Sequence, residues 1–193
     1  MQNPNAFYAP LDELTLRRAQ RGERNAFAEI YERYKRPCFT LAVRVLGEPA
    51  AAEDVVQEVF VRLFEAIGKF RGDAPFGAWL RRMVANATID ELRRRRWLES
   101  DDGLDLHAAT APGLTELPER QLEAWQMLMR FPPRARAVLV LHEVEGYTHK
   151  ELGAMFGQSE SFSKSILARA LERLQGSLHA LPEEAAHVRV HPA

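Results

Sequence analysis

The hydrophobic residues of this chain recur mostly at intervals of three or four positions, and this period constrains the fold more than any other feature. Alternating patterns typical of strands are nearly absent, whereas the helix formers Ala, Leu, Arg and Glu are abundant. The sequence therefore predicts an all-α protein. The predicted helices are Leu11 to Arg21, Asn25 to Leu46, Ala51 to Ile67, Phe76 to Arg96, Pro118 to Arg130, Pro133 to Val144, Thr148 to Phe156 and Ser159 to Leu174.

One stretch between these helices lacks any periodicity. Leu98 to Pro118 contains Gly, Pro and five acidic residues but no Lys or Arg, which is typical of a flexible acidic linker. We therefore expect two small helical domains, residues 11–97 and 118–176, joined by a linker at 98–117 and followed by a frayed tail at 177–193.

The second and third helices each have a predicted core face. Tyr31 belongs to the face predicted for the second helix, and Phe64 to that of the third. Pro37 lies inside the second helix and is expected to kink it, because proline cannot donate the hydrogen bond of a helix interior.

Positive and negative charges are segregated along the chain, although the formal net charge is only −1. In the fourth helix, Arg82, Asn86, Asp90 and Arg93 lie three or four positions apart and share one face. Arginine neutralises phosphates and asparagine can pair with a base edge, so this face is a candidate for DNA contact. The run of arginines from 93 to 96 also fits a solvated helix C-terminus, and composition alone leaves both interpretations open.

Two further surfaces have both a functional and a structural interpretation. The outer stripe of the third helix is either a solvated acidic face or a docking surface for a basic partner helix; its members are Asp54, Gln57, Glu58, Val61 and Glu65. In the loop that follows, Phe70 lies between Lys69 and Arg71, where it either stacks on an unpaired base or plugs the core.

The C-terminal helices have the outline of a helix-turn-helix. Thr148 and Glu151 form a capping-box pattern, Gly157 ends that helix, and the last helix carries Lys164 and Arg169. An ordinary pair of antiparallel helices would share this outline, so DNA binding does not follow from it alone.

Several classes of function lack support in the residues. Cys38 is the only cysteine and the six histidines are scattered, so we expect no disulfide, metal or cofactor. We find no phosphate-binding glycine loop and no catalytic constellation, so an enzyme is not expected. A signal peptide and a transmembrane pattern are also lacking, which favours a cytoplasmic location without membrane insertion.

A set of short motifs in a fixed order resembles the extracytoplasmic-function (ECF) sigma factors, the small members of the bacterial sigma-70 family. The resemblance covers about Leu11 to Leu174. The motifs are Ala26 to Tyr31, Ala52 to Phe60, Phe70-Arg71 with Phe76 to Leu80, Asn86 with Asp90, Leu92 and Arg93, Leu139 with His142 to Thr148, and Glu151 to Ala154.

The resemblance implies a transcription initiation factor that binds core RNA polymerase and promoter DNA, under the control of an anti-sigma factor. By similarity, the stripe Asp54, Gln57, Glu58 and Val61 would dock on the β′ clamp coiled coil, and the second domain on the β flap. The −10 element would be read by Lys69, Phe70, Arg71, Arg82, Asn86, Asp90 and Arg93. The −35 element would be read by Ser161, Lys164, Ser165 and Arg169.

The last helix departs from the family pattern. Phe162, Ser163 and Ile166 stand where a small Thr, an apolar Val and an Arg are usual. Either Phe162 and Ile166 pack inward, or they form an exposed apolar patch. Two alternatives remain. The weakly basic last helix leaves open a sigma-like regulator that titrates an anti-sigma factor without reading promoters. An ordinary two-domain repressor, which would bind duplex DNA without polymerase, is the other.

Overall fold

The computed structural model describes residues 7–95 and 119–179, and the predicted linker at 98–117 lies outside these ranges. Every regular element within them is helical, which confirms the all-α prediction. The elements are α1 Glu13–Gln20, α2 Arg24–Leu46, α3 Pro49–Ala66, a 3-10 turn Ile67–Lys69, α4 Phe76–Arg94, α5 Glu119–Met129, α6 Pro133–Leu139, a π-helical turn Val140–Val144, α7 His149–Phe156 and α8 Glu160–His179.

The helix α2 contains Pro37 in its interior, as predicted, and Tyr34, Cys38 and Leu41 around the proline are fully buried. One helix end differs from the prediction, since α8 continues to His179, five residues beyond Leu174.

The first domain packs α2, α3 and α4 against one another, with α1 lying on α2. Its centre consists of side chains that are fully buried, among them Ile30, Tyr34, Leu63 and Leu80. Phe7, ahead of α1, is also buried, and its ring stacks 6.4 Å from that of Tyr34. This packing fixes α4 in place and leaves one of its faces outward.

The second domain is built around the helix-turn-helix of α7 and α8. The hydroxyl of Thr148 accepts from the Glu151 backbone N–H, and the Glu151 carboxylate accepts from the Thr148 N–H, which completes the predicted capping box. At Gly153 an added Cβ would lie 2.9 Å from the carbonyl oxygen of Gln158, so glycine is needed for the turn to approach α7.

The two domains are packed together. The helix α6 lies against α2 and α4, and α7 lies against α4. One cluster of buried apolar side chains runs continuously from the first domain into the second and includes Leu80, Val138 and Leu141. The sequence predicted separate domains and did not indicate this contact.

Candidate polymerase and nucleic-acid interfaces

The predicted docking stripe lies on the outer side of α3. Asp54, Gln57 and Val61 are exposed, and the Val61 side chain keeps 62% of its surface accessible. Glu58 is half-buried and forms ion pairs with Arg62 and, at 3.1 Å, with Arg94. Glu58 is therefore partly neutralised, so Asp54 is the better candidate for attracting a basic partner.

An open apolar groove of about 500 Å³ lies beside this stripe, between α2 and α3. Its aromatic walls are in edge contact, Phe27 with Phe64 at 5.1 Å and Tyr31 with Phe60 at 4.8 Å between ring centroids. Gln57, Val61 and Glu65 complete the lining. Exposed aromatic surface of this kind is typical of a protein-binding site.

Two of these aromatic residues correct the predicted core faces. Phe64 is 52% exposed and Tyr31 is 38% exposed, although the helical period assigned both to the core. Phe64 follows the fully buried Leu63 by one position, which turns it about 100° around α3 and away from the packed face. Sequence reasoning missed these residues as part of the site because an apolar stripe does not reveal how much of its width a neighbour covers.

The predicted −10 face of α4 is accessible over most of its length. Arg82 and Asn86 are exposed, and half-buried Asp90 accepts a hydrogen bond from Arg93 at 3.0 Å. Arg93 also donates to the carbonyl of Met155 in α7. Arg82 and Asn86 are thus open to a ligand, whereas Arg93 is held by the second domain.

The arginines at the end of α4 are mostly paired with carboxylates. Arg94 contacts Glu91 at 2.7 Å, and Arg95 contacts Glu48 at 2.6 Å and Glu91 as well. Arg96 lies outside the described residues. These ion pairs favour the structural interpretation of the run for Arg94 and Arg95.

The loop before α4 places its two cations and its aromatic ring differently. Lys69 and Arg71 are exposed, while Phe70 is half-buried, with its ring 5.0 Å from Trp79 and 5.6 Å from Phe76. The amide of Gln20 donates to the Phe70 carbonyl at 2.9 Å and fixes the loop. Phe70 therefore packs against the core and also forms part of an aromatic surface between two cations.

The outward side of α8 carries the residues predicted for the −35 element. Ser161, Lys164, Ser165 and Arg169 are all exposed. Lys164 pairs with Glu160 at 2.6 Å, and the Ser165 hydroxyl donates to the Ser161 carbonyl at 2.9 Å. The face is exposed to solvent. Of its two cations, Lys164 is paired with Glu160, so Arg169 is the better candidate for contacting a phosphate.

The side chains that depart from the family pattern face inward. Ile166 and Ala170 are buried, and the half-buried Phe162 ring lies 5.7 Å from that of Phe156. The guanidinium of Arg134 lies 5.7 Å from the Phe162 ring centroid. Of the two arrangements left open by the sequence, the structure shows the inward one.

Within the residues that the structure describes, no group of three or more His, Cys, Asp or Glu side chains is arranged to hold a metal ion. In the same part of the chain, no helix is both long enough and apolar enough to cross a membrane.

Two known protein families match this chain, one in each of its two domains. Residues 30–98 match the family Sigma-70 region 2, and residues 121–174 match the family Sigma-70, region 4. The RNA polymerase sigma-H factor of Pseudomonas aeruginosa is 31% identical over 187 residues, which cover 90% of this chain and 97% of that protein. The ECF RNA polymerase sigma factor SigW of Bacillus subtilis is 29% identical over 182 residues, covering 86% and 96% of the two chains.

A solved structure gives the same result at the level of the fold. The structure of CnrH in complex with the cytosolic domain of CnrY has a TM-score of 0.53 and 26% identity, and covers 89% of this chain and 99% of that one. The two matched sigma-70 regions and the relatives of similar length lead to one conclusion: the chain belongs to the ECF group of the sigma-70 family of RNA polymerase sigma factors.

Proposed function

We propose that this ECF sigma factor docks on core RNA polymerase through α3 and the adjoining groove, and reads promoter DNA through α4 and α8. The observation that carries the proposal is the coexistence of two exposed surfaces of different chemistry in one small domain. One is acidic and apolar, at Asp54, Val61 and Phe64, and the other is the Arg82 and Asn86 face of α4. A DNA-binding repressor would have no use for the first surface.

The docking surface combines a charge with an apolar groove. Asp54 and Gln57 would steer a basic helix, such as one of the β′ clamp coiled coil, toward α3. Val61 and Phe64 would then bury apolar surface against it, which contributes about 25 cal/mol per Å². The groove is already open in the free chain.

Promoter opening requires binding energy and no chemical step. A protein that binds an unpaired strand better than a duplex shifts the equilibrium toward melting, and capture of one flipped base offsets an unstacking cost of a few kcal/mol. Lys69 and Arg71 would hold the strand, the ring of Phe70 with Trp79 would form the wall of the base pocket, and Asn86 would contact a base edge. Arg82, Asp90 and Arg93 complete the proposed −10 face.

In the second domain, Ser161, Lys164, Ser165 and Arg169 would contact the −35 element. The β flap is proposed to hold this domain on the polymerase, and the acidic linker at 98–117 is proposed to pass through the polymerase cleft. The cytoplasm, where RNA polymerase acts, is the proposed location.

A second function is favoured by one observation in α8. With Phe162 and Ile166 packed inward and Lys164 paired with Glu160, the outward face is only weakly cationic. Such a chain could titrate a regulator without reading promoters. An anti-sigma factor is a proposed partner in either case, since the groove between α2 and α3 leaves apolar surface for a regulator to cover.

The docking assignment is tested by two charge reversals on the same helix. We expect Asp54→Lys to weaken binding of the full-length protein to purified core polymerase about tenfold, or about 1.4 kcal/mol, because it repels a basic partner. Glu53→Lys reverses the charge in the same way at another exposed position, about 100° away around α3. It should alter the affinity less than about twofold. Equal effects from both variants, or none from Asp54→Lys, would remove α3 as the docking surface.

A further inference from the structure

The loop proposed to hold a flipped base, residues 67–75, is anchored at its start by α1; we call it the base-capture loop. The side-chain amide of Gln20, the last residue of α1, donates to the carbonyl of Phe70 at 2.9 Å and to that of Ile67 at 3.3 Å. An amide group has two N–H donors, so a single side chain can serve both carbonyls. Both bonds act on the backbone, and they fix the path of the chain on either side of Lys69.

The far end of the base-capture loop is supported by the segment ahead of α1. Phe7 is buried, and its ring stacks 6.4 Å from that of Tyr34. The row of rings continues from Tyr34 to Phe76 at 5.5 Å, and from Phe76 to Phe70 at 5.6 Å. Where the segment crosses α4, a Cβ at Gly77 would lie 1.7 Å from the Phe7 carbonyl oxygen, so glycine is required for this approach. Phe7 therefore supports the ring of Phe70 through two intervening aromatic side chains.

Both anchors are occupied inside the domain. Phe7 is buried, and the half-buried Gln20 uses its amide on the two carbonyls. Lys69 and Arg71, the cations of the base-capture loop, remain exposed. A loop that is ordered before binding loses less conformational entropy when it takes up a ligand. The two anchors can therefore favour capture of a base without contacting it.

We propose that Gln20 and Phe7 are positioning residues for promoter opening, which hold the base-capture loop in its binding shape before DNA arrives. The inference rests on the proposed function, in which Phe70 forms the wall of the base pocket. Polymerase docking through α3 uses neither anchor. Loss of an anchor should therefore weaken base capture and leave the affinity for core polymerase unchanged.

Limited proteolysis of the free full-length protein tests the Gln20 anchor without DNA or polymerase. Lys69 and Arg71 are exposed trypsin sites within the base-capture loop, and cleavage there reports the population in which the loop is open. Gln20→Met removes the amide donors at nearly the same side-chain length, and Gln126→Met makes the same change at an exposed position of α5. We expect Gln20→Met to raise cleavage after Lys69 and Arg71 about tenfold, and Gln126→Met to be cleaved like the wild type.

The Phe7 anchor is tested by a substitution outside the base-capture loop. Gly77→Ala adds the Cβ that would collide with the Phe7 carbonyl, although alanine is the better helix former in α4. We expect it to displace the segment and to raise cleavage after Lys69 and Arg71 about threefold or more. Unchanged cleavage in Gly77→Ala would remove Phe7 from the proposal.

The role in capture is measured with core polymerase carrying the full-length protein and a single-stranded −10 oligonucleotide. Abasic sites are placed at one position after another, and the captured base is the one whose removal weakens binding of the wild type but not of Phe70→Ala. Because stacking on an aromatic ring is lost, we expect a loss of about tenfold at this position. With Gln20→Met the loss should be about twofold or less, since a displaced pocket no longer uses the base.

Two results would overturn the role of Gln20. One is wild-type cleavage in Gln20→Met, and the other is an abasic loss as large as that of the wild type. A merely structural residue would lower Tm and polymerase affinity and leave the abasic loss unchanged. If no position showed such a loss in the wild type, the proposed base capture itself would be refuted, while cleavage would still decide whether Gln20 holds the loop.

Discussion

Ser163 is fully buried in the middle of the helix-turn-helix, where the resemblance leads one to expect an apolar side chain. Its hydroxyl lies 3.0 Å from Nδ1 of His149 on the preceding helix. A buried hydroxyl is costly unless it has a hydrogen-bond partner, so serine at this position requires a partner such as His149. At this position the departure from the family pattern is therefore accommodated inside the domain by the contact with His149.

Asn86 is the exposed residue of α4 that we propose as a base contact in promoter opening. Because its side chain is exposed on α4 and alanine is the better helix former, Asn86→Ala should leave stability and core binding nearly unchanged. We expect it to reduce promoter opening about tenfold or more, since a base-edge contact contributes about 1–3 kcal/mol. Permanganate reactivity of unpaired thymines on a promoter opened by the wild type measures this.

Asn25→Ala is the matched control for this variant, because it removes the same exposed side chain from α2. It should open promoters as the wild type does. If Asn86→Ala lost core binding, Asn86 would be structural, and if it opened promoters normally, the assignment of the α4 face would be wrong.

At the scale of elements, the π-helical turn Val140–Val144 and α7 meet at a pair of stacked histidines. The rings of His142 and His149 are 4.2 Å apart with an interplanar angle of 20°. Desolvation, followed by the neighbouring His142 and Lys164, lowers the pKa of His149. The lowered pKa favours an uncharged His149 imidazole at this contact.

The lowered pKa makes stability depend on pH in a defined direction. Between the unfolded pKa of about 6.5 and the lower folded value, the unfolded chain binds more protons than the folded one, so stability falls as the pH falls through this window. We expect His149→Gln to flatten the decrease in Tm between about pH 7 and pH 5 relative to the wild type. The difference between the two curves isolates His149 from the other five histidines. Parallel curves would contradict the assignment.

The helices themselves could be predicted from the sequence because they depend on local signals. The apolar period, the Thr148–Glu151 capping box and the stop at Gly157 all act within a few residues. The width of the buried stripe was not predictable, since it depends on what packs against each helix. Tyr31 and Phe64 were assigned to the core for this reason, and both instead line the groove.

At the scale of the whole molecule, the packing of the two domains was beyond sequence reasoning. Arg136, in α6, donates to the carbonyl of Val45, which lies 91 positions away along the chain. Because arginine is mostly found on protein surfaces, its sequence position predicts an exposed side chain. Within the first domain, the ion pairs of Arg94 with Glu58 and of Arg95 with Glu48 span 36 and 47 positions. The family assignment did not need these contacts, because it depends on local motifs in a fixed order.

The two proposed surfaces differ in accessibility at the scale of the whole molecule. The proposed docking surface on α3 is exposed, whereas Arg93, at the end of the proposed −10 face of α4, donates to the Met155 carbonyl in α7. We propose that both surfaces serve polymerase-dependent transcription.

Run-off transcription with purified core polymerase on a library of promoter fragments, with and without this protein, tests that claim most directly. We expect transcripts that appear only when the protein is present and that are lost with Asn86→Ala. Tight binding to core polymerase without any new transcript would contradict it, and would identify the chain as a sigma-like interaction protein.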